Sequence, residues 1–157
     1  EYTIENEGRN LIISGNTWKQ IPFIYEIQAD TVAEFQVSSQ GESEILGIAF
    51  ETDNKESSNR SFYLAGTQNN FGISDAAVTE GDTSQSGSVK YSIQVGQYLS
   101  GAVNRIVFIL DQDQDPSSNI WASFGDVNVF NENDYAEVHK DEESNTSSVI
   151  RIGLTEK

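Results

Sequence analysis

The segment VKYSIQV, Val89 to Val95, sets Val89, Tyr91, Ile93 and Val95 at every second position. Successive side chains of an extended chain point to opposite faces, so this spacing predicts a half-buried β-strand with those four residues turned to a core. The segment TVAEFQVSS, Thr31 to Ser39, repeats the pattern with Ala33, Phe35, Val37 and Ser39 on one face and Val32, Glu34, Gln36 and Ser38 on the other. Val32 is the exception on the polar side. Working outward, the same reading predicts strands over Tyr2–Ile4, Asn10–Ser14, Thr17–Ile27, Thr31–Ser38, Ile45–Glu51, Phe62–Gly66, Val89–Gln94, Arg105–Asp111 and Ile120–Phe130. Turn-forming clusters such as SGN, SQGES, TDNKESSN and EGDTSQSGS separate them. No stretch has the period of an amphipathic helix, and VGQYLSG, Val95 to Gly101, is the one candidate for a short helical turn. Many short strands between turns predict an all-β antiparallel sandwich of the jelly-roll type.

The chain has 157 residues, enough for one domain with a two-layer core. Residues 1–131 are expected to form the sandwich. The stretch Asp75–Ser88 reads as an exposed loop. Residues 132–157 read as an acidic linker, with SSVIRIGL as a possible final edge strand.

Asp and Glu number 25 against 9 Lys and Arg, for a net charge of -16. A field of that sign repels nucleic acid and anionic membranes over about 10 Å at ordinary salt, so neither is expected as a partner. It also suits a protein that stays soluble in salty water. With 0 cysteines, disulfides, zinc-thiolate sites and thiol nucleophiles are excluded. No apolar segment approaches the ~20 residues of a membrane span. The opening EYTIENEGRN has no signal-peptide pattern and no initiator Met. The chain therefore reads as a module of a longer protein, expected to be bacterial, secreted or at the cell surface, and monomeric.

Three constellations bear on function. The only histidine, His139, falls in the charged tail, away from any cleft a Ser-His-Asp triad would need. A carboxylate pair would suffice for glycosidase chemistry, but among 25 acidic residues such pairs arise by chance. No catalytic residue is assigned.

The run ILDQDQDPSSN, Ile109 to Asn119, alternates Asp111, Asp113 and Asp115. It is not an EF-hand loop, because the sixth position is Pro116 rather than Gly and the twelfth is Ala122 rather than Glu. In an extended strand neighbours of this set would lie about 6.6 Å apart, too far for all three to reach one ion. A curling backbone after Pro116 could bring two together, and oxygen donors of this kind suit calcium. FETDN supplies Glu51, Asp53 and Asn54 at a second acidic strand end. Two such ends at one rim would make a calcium site. The alternative is a set of solvated loop tips.

Aromatic rings match the C–H faces of sugars, and amides and carboxylates match the hydroxyls. GNTWK offers Trp18 beside Asn16 and Lys19. FYLAGTQNNFG offers Tyr63, Gln68, Asn69, Asn70 and Phe71, and NIWASF offers Trp121. Each taken alone also fits a core or turn role.

In their order along the chain, SGNTWKQIPFIYEIQADTVAEFQVSS, EILGIAFETD, FYLAGTQNNFGIS, YSIQVGQYLSG and IVFILDQDQDPSSNIWASFGDVNVF resemble β-sandwich carbohydrate-binding modules appended to polysaccharide-degrading enzymes of marine bacteria. The similarity spans about residues 2–130. It implies a non-catalytic module, covalently linked to a catalytic domain, that tethers it to a polysaccharide of the agar, carrageenan or alginate kind, often with calcium. The positions carried over are Trp18, Glu51, Asp53, Tyr63, Gln68, Asn69, Asn70, Asp111, Asp113 and Asp115. Two departures stand out: Asn70 precedes Phe71 where an aromatic often follows TQN, and Glu51 stands where Asp is common. Net charge favours a neutral glycan such as agarose or a β-glucan, with an anionic galactan or alginate second. An adhesion or protein-interaction sandwich, or a small polysaccharide lyase or hydrolase, are the competing expectations.

Overall fold

The computed structural model describes residues 1–74, 78–80, 87–115, 118–134 and 150–151. The strands are β1 (Tyr2–Glu5), β2 (Asn10–Ser14), β3 (Thr17–Ile27), β4 (Thr31–Gln40), β5 (Ile45–Glu51), β6 (Ser61–Ala65), β7 (Val78–Glu80), β8 (Val89–Ile93), β9 (Gly101–Asp111), β10 (Trp121–Asn131) and β11 (Ile150–Arg151). The larger sheet runs β1-β2-β10-β4-β8-β7, with β11 paired to β10 beside that path, and the smaller runs β3-β9-β5-β6. The strands pair antiparallel throughout both sheets. The molecule is an all-β sandwich, as the alternation predicts.

The core lies where the two inner faces meet. Phe124 of β10 and Phe108 of β9, on opposite sheets, pack with ring centroids 4.9 Å apart. Phe35 continues the cluster to Tyr91 at 5.7 Å, and Phe50 meets Phe62 at 6.2 Å. Ala33, Phe35 and Val37 of β4 and Tyr91, Ile93 and Val95 in and after β8 are buried in this cluster, while Val89 packs at its margin.

The Val32 exception has a physical cause. Val32 pairs in register with Phe130 of β10, and both are buried on the outward side of the larger sheet, forming an apolar contact separate from the core. The outward position of Phe130 follows from a register shift between Gly125 and Asn128. Ahead of the shift Ala122 and Phe124 point inward; beyond it Val127 and Val129 do, so one extra residue, Asp126, is turned out with φ 48°.

The expectation of a loop over Asp75–Ser88 is corrected in part. Val78–Glu80 pair with Ile93, Ser92 and Tyr91 of β8, and Ser88 is buried. A strand of three residues is too short to show a period, which is why alternation does not reveal it. Residues 75–77 and 81–86 lie outside the described set. In the segment read as a linker, Ile150 and Arg151 pair with Val129 and Asn128, as a final edge strand would. His139 and the rest of 135–149 and 152–157 lie outside the described residues, as does Pro116. VGQYLSG carries a single 3-10 turn at Val95–Gln97, another occurs at Ser58–Arg60, and a left-handed turn occurs at Asn6–Gly8.

Removing a fully buried phenylalanine at the sheet-to-sheet contact leaves a cavity that rigid strands cannot close. Phe124→Ala is expected to lower the unfolding free energy by about 3–5 kcal/mol, measured by urea titration with an unchanged denaturant slope.

Candidate functional site

The acidic run after β9 is held by N–H donors. Asp111 ends the strand, and its Oδ1 accepts the Trp18 indole N–H at 3.1 Å. Asp113 Oδ1 accepts the Asn16 side-chain amide at 2.5 Å. Between these strand ends sits Glu44, a residue the motif analysis does not single out. Its carboxylate accepts the backbone N–H of Asp113 at 2.5 Å, that of Gln114 at 3.1 Å and the Gln114 side-chain amide at 2.7 Å. The Asp113 N–H above all, together with those of Gln114, holds the Glu44 carboxyl below its ordinary range. Burial pushes Asp111 the other way; the neighbouring charges of Asp113 and Glu44 add to the rise, and the Trp18 hydrogen bond opposes it. Asp115 is exposed beyond this group.

The second acidic end does not join the first. In the antiparallel register of β5 with β9, Asp111 lies opposite Ile45 and Glu51 lies opposite Arg105. Six residues of strand, about 20 Å, therefore separate Glu51, Asp53 and Asn54 from Asp111, Asp113 and Asp115. The expectation that the two meet at one rim is corrected by this register. Glu51 is buried and accepts the Ser57 N–H at 2.8 Å, with Arg60 Nε 3.9 Å away. Burial raises its carboxyl, against the lowering effects of Ser57 and Arg60. Asn54 accepts from Arg105, and Asp53 accepts the Lys55 N–H at 2.8 Å. With a guanidinium at each of Glu51 and Asn54, this end does not fit a calcium ion. Among the described residues no three Asp, Glu or His side chains are gathered so as to hold a metal. Asp111 and Asp113 each spend one oxygen on the bonds above, so the turn offers part of a calcium shell.

The aromatic residues divide between two faces. On the outward face of the smaller sheet, Trp18, Tyr63 and Phe71 pack over Ile45, Ala49, Val107 and Ile109. Trp18 belongs to the edge strand β3 and Phe71 follows the opposite edge strand β6, yet their rings meet edge-to-face at 6.0 Å. The loop after β6 therefore lies across the face of the sheet. Tyr63 donates its hydroxyl to the Gly66 carbonyl within that loop. These three rings make a small second core. Gln68, Asn69 and Asn70 are exposed on the loop above it. Trp121 is not with them: it lies on the outward face of the larger sheet, donating its indole N–H to Gln40 at 3.2 Å.

That outward face carries a groove the motif analysis misses. Two adjoining cavities of about 400 and 320 Å³ share Arg9, Gln36 and Asp126. The floor is low because Ser38, Ser88, Ser123 and Gly125 are small. A Cβ added at Gly125 would meet only Asn10 Oδ1 at 3.4 Å and Arg9 O at 3.9 Å, so the space above it is open groove. Asn10 and Gln36 flank Gly125 in register, and Lys90 pairs with Gln36 on the far side. Ser123 donates to Asn10 Oδ1 at 2.6 Å, which fixes that amide. Glu34 and Asn128 extend the groove beyond the bulge. Two residues before Ser123 on the same face stands Trp121, about 7 Å along the strand. The polar half of TVAEFQVSS, with Glu34, Gln36 and Ser38, is the sequence signal that could have located this face.

The near rim is built from strained backbone. Among the described residues the non-glycines with left-handed φ are Asn6 (52°), Glu7 (58°) and Asp126 (48°). Asn6 and Asp126 both line the groove, and the Arg9 carbonyl accepts the Asp126 N–H at 3.0 Å, joining the two sites. Such conformations cost about 1–3 kcal/mol each and gather at ligand sites. Comparison with protein-family models, with curated proteins and with solved structures finds no match for this chain.

The carboxyls shifted in opposite directions give opposite pH slopes. Glu44, depressed on folding, adds stability above its unfolded pKa that is lost as pH falls through its folded value. Glu51, raised on folding, adds stability below its unfolded pKa that is lost as pH rises through its folded value. Melting curves from pH 3 to 8 are expected to show the stability difference between wild type and Glu44→Gln growing with pH, and that for Glu51→Gln shrinking.

Proposed function

We propose that this protein is a non-catalytic carbohydrate-binding module that holds a polysaccharide in the groove of its larger sheet. As part of a longer secreted protein, it would tether a polysaccharide-degrading domain to that polymer. One observation carries the reading: a shallow trough floored by serines and glycine, edged by the amides of Asn10 and Gln36, with Trp121 next along β10. Small floor residues let a sugar ring approach the sheet. The amides supply donors and acceptors for its hydroxyls, and the indole supplies a flat apolar surface for its C–H face. A glycosidase acid needs a sheltered, protonated carboxyl, whereas Asp126 and Glu34 in this trough are exposed and half-buried. Net charge, at -16, would by itself favour a neutral chain such as agarose or a β-glucan, but the class of glycan is set by the side chains that line the trough.

Calcium belongs to this reading at the Asp111–Asp115 turn alone. What supports it there is the donor set, since Asp113 and Glu44 meet beside the strand-end Asp111 and supply the hard oxygen ligands that calcium takes. An ion bound at ~100 times its Kd would add about 2.7 kcal/mol to folding stability.

Affinity electrophoresis in gels cast with polysaccharides tests both parts. Wild type is expected to be retarded without releasing reducing sugar. Trp121→Ala should weaken retention about tenfold, or ~1.4 kcal/mol. Gly125→Phe, which fills the trough, should abolish retention while the melting temperature stays near that of wild type. Added calcium should raise the melting temperature of wild type but not of Asp113→Asn. Unchanged retention of Gly125→Phe would contradict the site, and a flat calcium response would remove the ion.

A further inference from the structure

The charges inside the groove differ from those of the molecule around it. Acidic residues outnumber basic ones 25 to 9 in the whole chain, yet Arg9 and Lys90 both line this one trough. They approach from opposite sides, Arg9 just before β2 and Lys90 on β8, three strand spacings or about 14 Å apart. Arg60, Arg105 and Lys19 are engaged elsewhere, while Lys55 is exposed on the loop after β5. Arg60 lies 3.9 Å from Glu51, Arg105 donates to Gln20 at 2.9 Å and to Asn54, and Lys19 sits 3.5 Å from the centre of the Tyr2 ring. Arg9 spends only its Nε on the Asn6 carbonyl, at 3.3 Å, and neither Arg9 nor Lys90 comes within 4.0 Å of a carboxylate among the described residues. Glu34 and Asp126 share the trough with them, and neither closes onto either cation. The trough thus brings two cations and two carboxylates together without pairing them.

We infer that the groove takes an acidic saccharide, with a carboxylate or sulfate on the sugar meeting Arg9 and Lys90 and its hydroxyls meeting Asp126, Glu34 and the flanking amides. The inference rests on the reading of the groove as a glycan site and names the class of glycan. Distance decides against net charge here. The crowded carboxylates at Asp111, Asp113 and Glu44 and at Glu51 belong to strand ends in or beside the smaller sheet, about 10 Å behind the larger one. At ordinary salt the Debye length is also about 10 Å, so the field of those charges is attenuated at the groove relative to a direct contact. A guanidinium in contact with an oxyanion is not screened, and its paired N–H groups match the geometry of carboxylate and sulfate oxygens.

Gels containing alginate, carrageenan or agarose, all run in chelator so that no calcium can bridge, separate the possibilities. The acidic chains are expected to retard the protein about tenfold more strongly than agarose at low salt, with the advantage lost at roughly 0.5 M salt. Arg9→Ala/Lys90→Ala should remove that advantage, and Arg9→Lys/Lys90→Arg should keep most of it. Retention on alginate alone assigns a carboxylate, on carrageenan alone a sulfate, and on both a requirement for negative charge. Agarose held as tightly as the acidic chains, or acidic chains held equally by the double alanine variant, would overturn this inference and leave the glycan site standing. No retention on any gel would overturn the glycan site itself.

Discussion

The contact of Phe108 with Phe124 across the two sheets is the constraint on which the rest of the molecule depends. Because strand side chains alternate, fixing Phe124 inward fixes Trp121, Ser123 and Gly125 outward, and a slip of one residue would bury the serines and expose the rings. The bulge at Asp126 preserves this arrangement. It keeps Val127 and Val129 in the core while ejecting one carboxylate onto the outer face, at the price of a left-handed residue. The groove is the outward imprint of the packing within.

Much of this was legible in the sequence. Period-two alternation in VKYSIQV and TVAEFQVSS carries the all-β reading because one face of each strand is buried and the other is not. Strand ends fall within a few residues of expectation where turn clusters bound them. What alternation does not encode is which distant strands are neighbours. Asp111 and Glu51 both end apolar runs, and each looks like half of a metal site. Only the register of β5 against β9, strands about fifty residues apart, sends them to opposite ends of the sheet. The groove is hidden for the same reason. Arg9, Gln36, Lys90 and Asp126 come from four places in the chain and share no local motif.

The conspicuous residues have structural work in view. Trp18 gives its N–H to Asp111 and meets Phe71 edge-to-face, so the ring that most invites a sugar is committed to covering Ile109 and Val107. The crowded carboxylates likewise have partners: Asp111, Asp113 and Glu44 each receive an N–H from an adjacent strand or turn. Glu44 links that end to the loop over the aromatic face, since its carbonyl also accepts the Gln68 N–H at 2.9 Å. Acidic residues in this protein thus fasten loops as well as charging the surface, which is why net charge is a poor guide to what any one face will bind.

The central claim is that ligand binds on the larger sheet and not over the aromatic cluster of the smaller one. Backbone amide chemical shifts recorded while titrating soluble oligosaccharides test it most directly, because each face reports separately. The account predicts shifts at Asn10, Gln36, Ser38, Ser123, Gly125 and Asp126, with the amides of Trp18, Tyr63 and Gln68 to Phe71 unmoved. Shifts confined to that second group would contradict it.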